Sequence, residues 1–166
     1  MVDALLTIGA KVGYAKGTTT APATTGYVRI PGLTELPDLS SDPDTIDTTS
    51  LDNETNTSSK PGLKDTSSVI SMPARFSNEL IKMWMGDNGD GTGGVMGAYA
   101  ELTDSDELWL AIDIKDSDFI YYVPFVPIAL DPPTGAYNDA AEVSVKFTVD
   151  GDIKTSARST TSIWTD

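Results

Sequence analysis

Residues 108–130 read LWLAIDIKDSDFIYYVPFVPIAL, and this stretch decides the fold. Leu108, Leu110, Ile112 and Ile114 occupy alternate positions. Period-2 spacing of large aliphatics predicts a β-strand with one buried face. Asp116, Ser117 and Asp118 then supply a turn. Residues 119–130 are apolar on both faces, which predicts a strand covered by the core on one side and by another subunit on the other. Pro124 and Pro127 lack an N–H donor and argue for an edge position or a bulge.

Downstream, Asp131-Pro132-Pro133-Thr134-Gly135 marks a loop. Val143, Val145, Phe147 and Val149 alternate with polar residues up to Asp150-Gly151. An Asp-Gly pair after an alternating strand predicts a tight hairpin, with residues 152–158 pairing back. Upstream, residues 77–86 form one short helix. Ser77 is its N-cap, Glu79 favours the dipole, Leu80, Ile81, Trp84 and Met85 recur at helical spacing, and Gly86 is the stop. Residues 87–94 (DNGDGTGG) have the composition of a calcium loop but not its ligand spacing, and no Glu closes it. They read as a flexible glycine turn, with a short strand over 99–102.

Residues 27–76 form the least regular part. Tyr27, Val28, Arg29 and Ile30 make a strand candidate ended by Pro31-Gly32, and Val69, Ile70, Met72 and Phe76 mark another. Between them, residues 34–66 are dominated by Ser, Thr, Asp, Asn and Pro. So long an irregular connection in a compact domain is usually functional. Residues 1–25 are punctuated by Gly9, Gly13 and Gly17 and end in a run of Thr and Ala, an arm rather than a core element. The expected architecture is one all-β domain of 166 residues with one short helix, its strand-rich half over 105–158.

Composition narrows the chemistry. The chain contains neither Cys nor His, so thiolate and imidazole catalysis and metal ligation are excluded. No nucleophile elbow, P-loop or dinucleotide fingerprint occurs. Asp104, Asp106 and Glu107 are a carboxylate cluster, but chance pairs are unavoidable among 25 acidic residues. No enzyme, cofactor or metal site is expected. Arg29, Arg75 and Arg158 are scattered, and a net charge of −14 repels nucleic acid in general, though not its passage through a channel. The N-terminus lacks the basic and apolar regions of a signal peptide, and no run reaches the length of a membrane span.

The segment YVRIPGLTELPDLSSDPDTIDTTSLD (27–52) resembles the siphophage major tail, or tail tube, proteins. The resemblance rests on Ile30-Pro31-Gly32, on Leu36-Pro37 and above all on PDTIDTTSLD at 43–52. It extends, as an order of elements, over roughly residues 20–160. It implies a β-sandwich or half-barrel, similar to type VI secretion and contractile-tail inner tubes. Its subunits are expected to form stacked hexameric rings in the virion tail, assembled in the host cytoplasm, through which DNA passes. Tape measure, tail terminator and distal tail proteins are the implied partners. The arm and the 34–66 loop would reach adjacent subunits, with Leu5, Ile8, Tyr14, Ile46, Leu51, Leu63 and Trp164 as contacts. The alternative is a β-sandwich binding or adhesin module with a ligand platform of Tyr99, Trp109, Tyr121 and Tyr122.

Overall fold

The computed structural model describes residues 9–39, 45–47, 59–61 and 69–165. In chain order the elements are β1 (Lys11–Thr18), β2 (Val28–Arg29), β3 (Thr45–Asp47), β4 (Ser59–Pro61), β5 (Val69–Arg75), α1 (Asn78–Met85), α2 (Gly94–Ala100), β6 (Asp106–Asp113), β7 (Phe119–Pro127), β8 (Glu142–Val149) and β9 (Lys154–Ala157). Seven strands form one curled sheet in the order β2-β1-β6-β7-β8-β5, with β9 also paired to β7. The curl nearly closes. Just past β2, Leu33 bridges Ala74 of β5, while Arg75 N–H donates to the Gly32 carbonyl and Thr34 N–H to that of Pro73, both at 2.9 Å. The expected half-barrel is therefore the observed architecture, and the Pro31-Gly32 turn carries the chain from one edge of the sheet to the other. Within the long 34–66 connection, β3 and β4 form a separate antiparallel pair.

The core fills the concave side. Met72, Leu80, Trp84, Leu108, Leu110, Val123, Phe125, Val145 and Phe147 belong to one cluster. Phe125 sits between Trp84, centroids 6.3 Å apart and stacked, and Phe147, at 5.8 Å edge to face. The Trp84 indole N–H donates to the Ile128 carbonyl at 2.8 Å, so no buried donor is left unpaired there. α1 delivers Leu80 and Trp84 to this core, and Ser77 caps it by accepting from the Leu80 N–H at 3.1 Å. Gly86 ends it at φ 89°, as its sequence position indicated.

Several elements differ from the sequence expectation. There are two short helices among the described residues, not one, and α2 replaces the expected strand at 99–102. Two glycines and an uncapped start make α2 intrinsically weak. Packing forms it instead: Val95 is fully buried in the main cluster, and Gly97 lies so close to Thr92 that a Cβ would meet the Thr92 carbonyl oxygen at 2.6 Å. β6 is buried on both faces, since Trp109 and Ala111 are as enclosed as Leu108 and Leu110. Residues 11–18, expected within the arm, are strand β1, paired along its length with β6. The remaining arm residues 1–8 lie outside the described residues.

The Asp150-Gly151 pair is not a hairpin. β8 and β9 both run antiparallel to β7, in registers Phe125↔Val149 and Tyr122↔Lys154. They are one interrupted strand with a bulge at the junction, where Gly151 has φ 131°. β7 is accordingly central, not an edge. Pro124 is tolerated because it falls at this bulge, where its carbonyl accepts from Asp150 N–H at 2.9 Å and no ladder donor is required of it.

The convex face has its own cluster of Ala15, Tyr27, Trp109, Ala111, Ile120, Tyr122 and Ile163. The second cover over β6 and β7 is thus supplied by this chain, through residues 18–27 and 159–165. Gly13 of β1 is the close-approach point, since a Cβ there would lie 2.4 Å from the Trp164 ring and 2.5 Å from the Val28 carbonyl oxygen. Gly13→Ala is expected to destabilise the protein by about 1–3 kcal/mol through overpacking. Urea unfolding checks this, and near-UV circular dichroism should register the displaced indole.

Candidate assembly surface

Among the described residues no group of His, Cys, Asp and Glu could hold a metal ion. The 87–94 turn uses its carboxylate internally. Asp90 accepts from the Thr92 N–H at 3.0 Å and the Thr92 hydroxyl at 2.6 Å, which holds its carboxyl below the usual range. Asp106 likewise accepts from the Thr103 hydroxyl at 2.9 Å and lies 3.5 Å from Lys16 Nζ, with the same direction of shift. Glu107 is pushed up, first by burial and then by the neighbouring Asp150 carboxylate. These groups complete turns and strand ends.

Asp113, at the end of β6, is only 8% exposed. Its carboxylate accepts from the Arg158 guanidinium at 2.5 Å and from the Trp164 indole N–H at 3.0 Å. Arg158 also donates to the carbonyls of Ser117 (2.7 Å) and Ile114 (3.0 Å). Trp164 stands edge to face on Tyr27 at 6.2 Å, with Lys11 Nζ 5.8 Å from its ring centre. Tyr27 exchanges main-chain bonds with this segment, from its N–H to the Ile163 carbonyl (3.0 Å) and from Thr165 N–H to its own carbonyl (2.9 Å). The C-terminal strap is therefore stitched onto β2 as an added edge.

This arrangement locates the expected contact residues. Trp164 is half-buried against its own chain. Tyr14 lies on β1 opposite Leu110 and packs on the main core, with burial raising its hydroxyl pKa. Ile46 falls in β3 opposite Lys60. Leu5, Ile8, Leu51 and Leu63 lie outside the described residues. The four-aromatic ligand platform does not form: Trp109 and Tyr122 are 1% and 6% exposed, while Tyr99 and Tyr121 remain open.

What the surface offers instead is apolar area next to open β-edges. Phe119 and Tyr121 alternate on one face of β7 and are 50% and 40% exposed. The adjoining β9 has four exposed residues and pairs only with β7 among the described residues. Val69 at the start of β5 is also open, and Tyr137, in the loop before β8, is 95% exposed. Sequence reading passed over Tyr137, though an aromatic residue inside a Pro, Gly and Asn loop was the available signal.

No protein-family profile matches the chain, and no curated protein does. Solved structures do. The chain is similar to one from the baseplate of the anti-feeding prophage, 6-fold symmetrised (TM-score 0.59, 8% identity, covering 95% of this chain and 98% of that one). It is similar to one from the tail of an empty gene transfer agent particle refined with C6 symmetry (TM-score 0.54, 20% identity, 88% and 96% covered). A third comes from the sheath–tube complex of an extracellular contractile injection system in its extended state (TM-score 0.54, 14% identity, 90% and 88% covered). At these identities the likeness establishes the fold, a curled half-barrel with two short helices, over nearly the full length of each chain.

Two outcomes follow from the side chains. Trp164→Ala removes a half-buried indole and one of the two donors to the Asp113 carboxylate, so the dilute protein should lose about 2–4 kcal/mol in denaturant unfolding. Unchanged stability would mean that the indole contributes nothing within its own chain. Glu107 titrates above its ordinary value of 4.5 in the folded state. The folded protein therefore holds more protons than the unfolded chain there, and stability falls as pH rises through and above that value. Glu107→Gln should flatten that part of the stability–pH curve.

Proposed function

We propose that this chain is a structural subunit of a tail tube, assembling into stacked rings, hexameric as in the six-fold assemblies that share its fold, through which genomic DNA moves. The observation that carries the reading is the extent of the fold likeness, which spans 95% of this chain and 98% of a chain in the 6-fold symmetrised prophage baseplate. The surface supports it. An open β9 edge beside exposed Phe119 and Tyr121 suits continuation of the sheet into a neighbour. A net charge of −14 lets DNA slide without adhering. The PDTIDTTSLD segment at 43–52 supports the siphophage type of tube, with the virion tail as location and tape measure, terminator and distal tail proteins as partners.

Purified protein, concentrated and viewed by negative-stain electron microscopy, should show rings or tubes of uniform diameter. Protein that stays monomeric in sedimentation at high concentration would overturn the proposal.

A further inference from the structure

The loop between β7 and β8 is held from several sides. Thr134 and Glu142 exchange both main-chain hydrogen bonds at 2.8 Å, Asp139 N–H donates to Ala136 at 3.0 Å, and Phe76 N–H donates to Ala141 at 2.9 Å. Asp131 pairs with Lys146 at 2.6 Å. Asn138 is held at φ 73°, a left-handed conformation uncommon for a side-chain-bearing residue. The product of this scaffolding is one aromatic side chain, Tyr137, 95% exposed where no other exposed large hydrophobic residue described exceeds 56%. A ring on a loop whose main chain is already held leaves only its own side-chain rotation to be ordered on docking.

On the other side of β5 lies a slot of about 110 Å³. Val12, Ile30, Leu33 and Leu36 line its apolar part. Arg29 and Glu35 are its exposed charged residues, and among the described residues Arg29 forms no ion pair. The slot and the loop complement one another. An apolar recess accepts a ring, a guanidinium beside it favours the ring face, and Glu35 offers an acceptor to a phenol hydroxyl. Asp139, two residues from Tyr137, matches Arg29 in charge, which counts between copies that otherwise repel at −14 each.

We propose that Tyr137 of one copy of this chain docks in the Arg29–Glu35 slot of a second copy. Knob and slot are different patches, so the contact is heterologous and propagates head to tail, into a ring where the rotation closes and a helical tube where it does not. The proposal rests on the tail-tube reading and names a contact within it. Tyr and Arg at such a contact are the residue types that concentrate binding energy.

The chain has no cysteine, which makes the test direct. Ala136→Cys and Thr34→Cys proteins, which keep the ring and the charged residues of the slot, should give a disulfide-linked dimer on a non-reducing gel when mixed under mild oxidation, and neither alone should. Tyr137→Ala should keep the wild-type circular dichroism spectrum and lower tube yield at least tenfold in micrographs. Arg29→Asp should weaken assembly similarly, with partial recovery when combined with Asp139→Arg. A mixture that does not cross-link, an equal yield of dimer from Ala136→Cys alone, or Tyr137→Ala tubes at wild-type yield would each overturn the contact. If wild-type tubes are present in those experiments, the tail-tube reading stands without it. Wild-type protein that never forms tubes removes that reading instead.

Discussion

A central strand buried on both faces, with the second half of its neighbour β7 buried likewise, sets the terms for everything else in this fold. β6 places Leu108, Leu110 and Ile112 on the concave side and Trp109 and Ala111 on the convex side, all nearly inaccessible to solvent. An antiparallel sheet ordinarily leaves one face to water. This one needs two covers. Inside, the curl of the sheet and the two helices provide one, with Trp84 and Phe125 at its centre. Outside, among the described residues, the cover is built from irregular segments. Residues 18–27 and the C-terminal strap lie over Trp109, Ile120 and Tyr122. Irregular backbone on an apolar face must have its polar groups satisfied. The Trp109 indole N–H to the Thr18 carbonyl (2.9 Å), the Tyr27 main-chain bonds and the Asp113–Arg158–Trp164 cluster do this.

That requirement explains residues that look arbitrary in isolation. Asp113 ends the apolar run of β6 and supplies the acceptor that the strap uses there. Gly13 is small because the Trp164 ring occupies the volume over β1. Gly17 is small for the same reason against Trp109, whose Cδ1 would meet a Cβ at 2.7 Å. Gly13 and Gly17, two of the glycines that made residues 1–25 resemble a loose arm, are places where aromatic rings press on a strand.

The sequence was therefore legible where local pattern and tertiary role agree. The alternation at 108–114, the alternation at 143–149 and the Ser77 cap all have local causes, and all appear in the structure. The failures share a different cause. Asp150-Gly151 has the composition of a hairpin turn, but whether β9 folds back on β8 or continues along β7 depends on which strand edge is vacant. That is a property of the whole sheet. α2 has almost no helical signal because Val95 and the helix α1 beneath it hold the helix in place. The both-faced burial of β6 was hidden because its cover comes from the far end of the chain. The candidate contacts were least legible: Trp164, apolar near a terminus, looks the same in sequence whether it docks on a neighbour or at home.

Self-coverage also shapes what remains for assembly. A sheet that covers its own convex face and joins its own edges through Leu33 and Ala74 leaves, among the described residues, few places where a partner can gain much. Those places are the outer edge of β9, the Phe119 and Tyr121 side chains beside it, the start of β5, and the Tyr137 loop with the slot across β5. Each is small, whereas one large apolar patch would drive indiscriminate association. Strong like charge on every copy works in the same direction. It penalises every approach except those that bring matched groups together, so that geometry decides which contact forms. Open apolar groups confined to a few edges of a strongly acidic surface restrict any contact to partners that match it in both shape and charge.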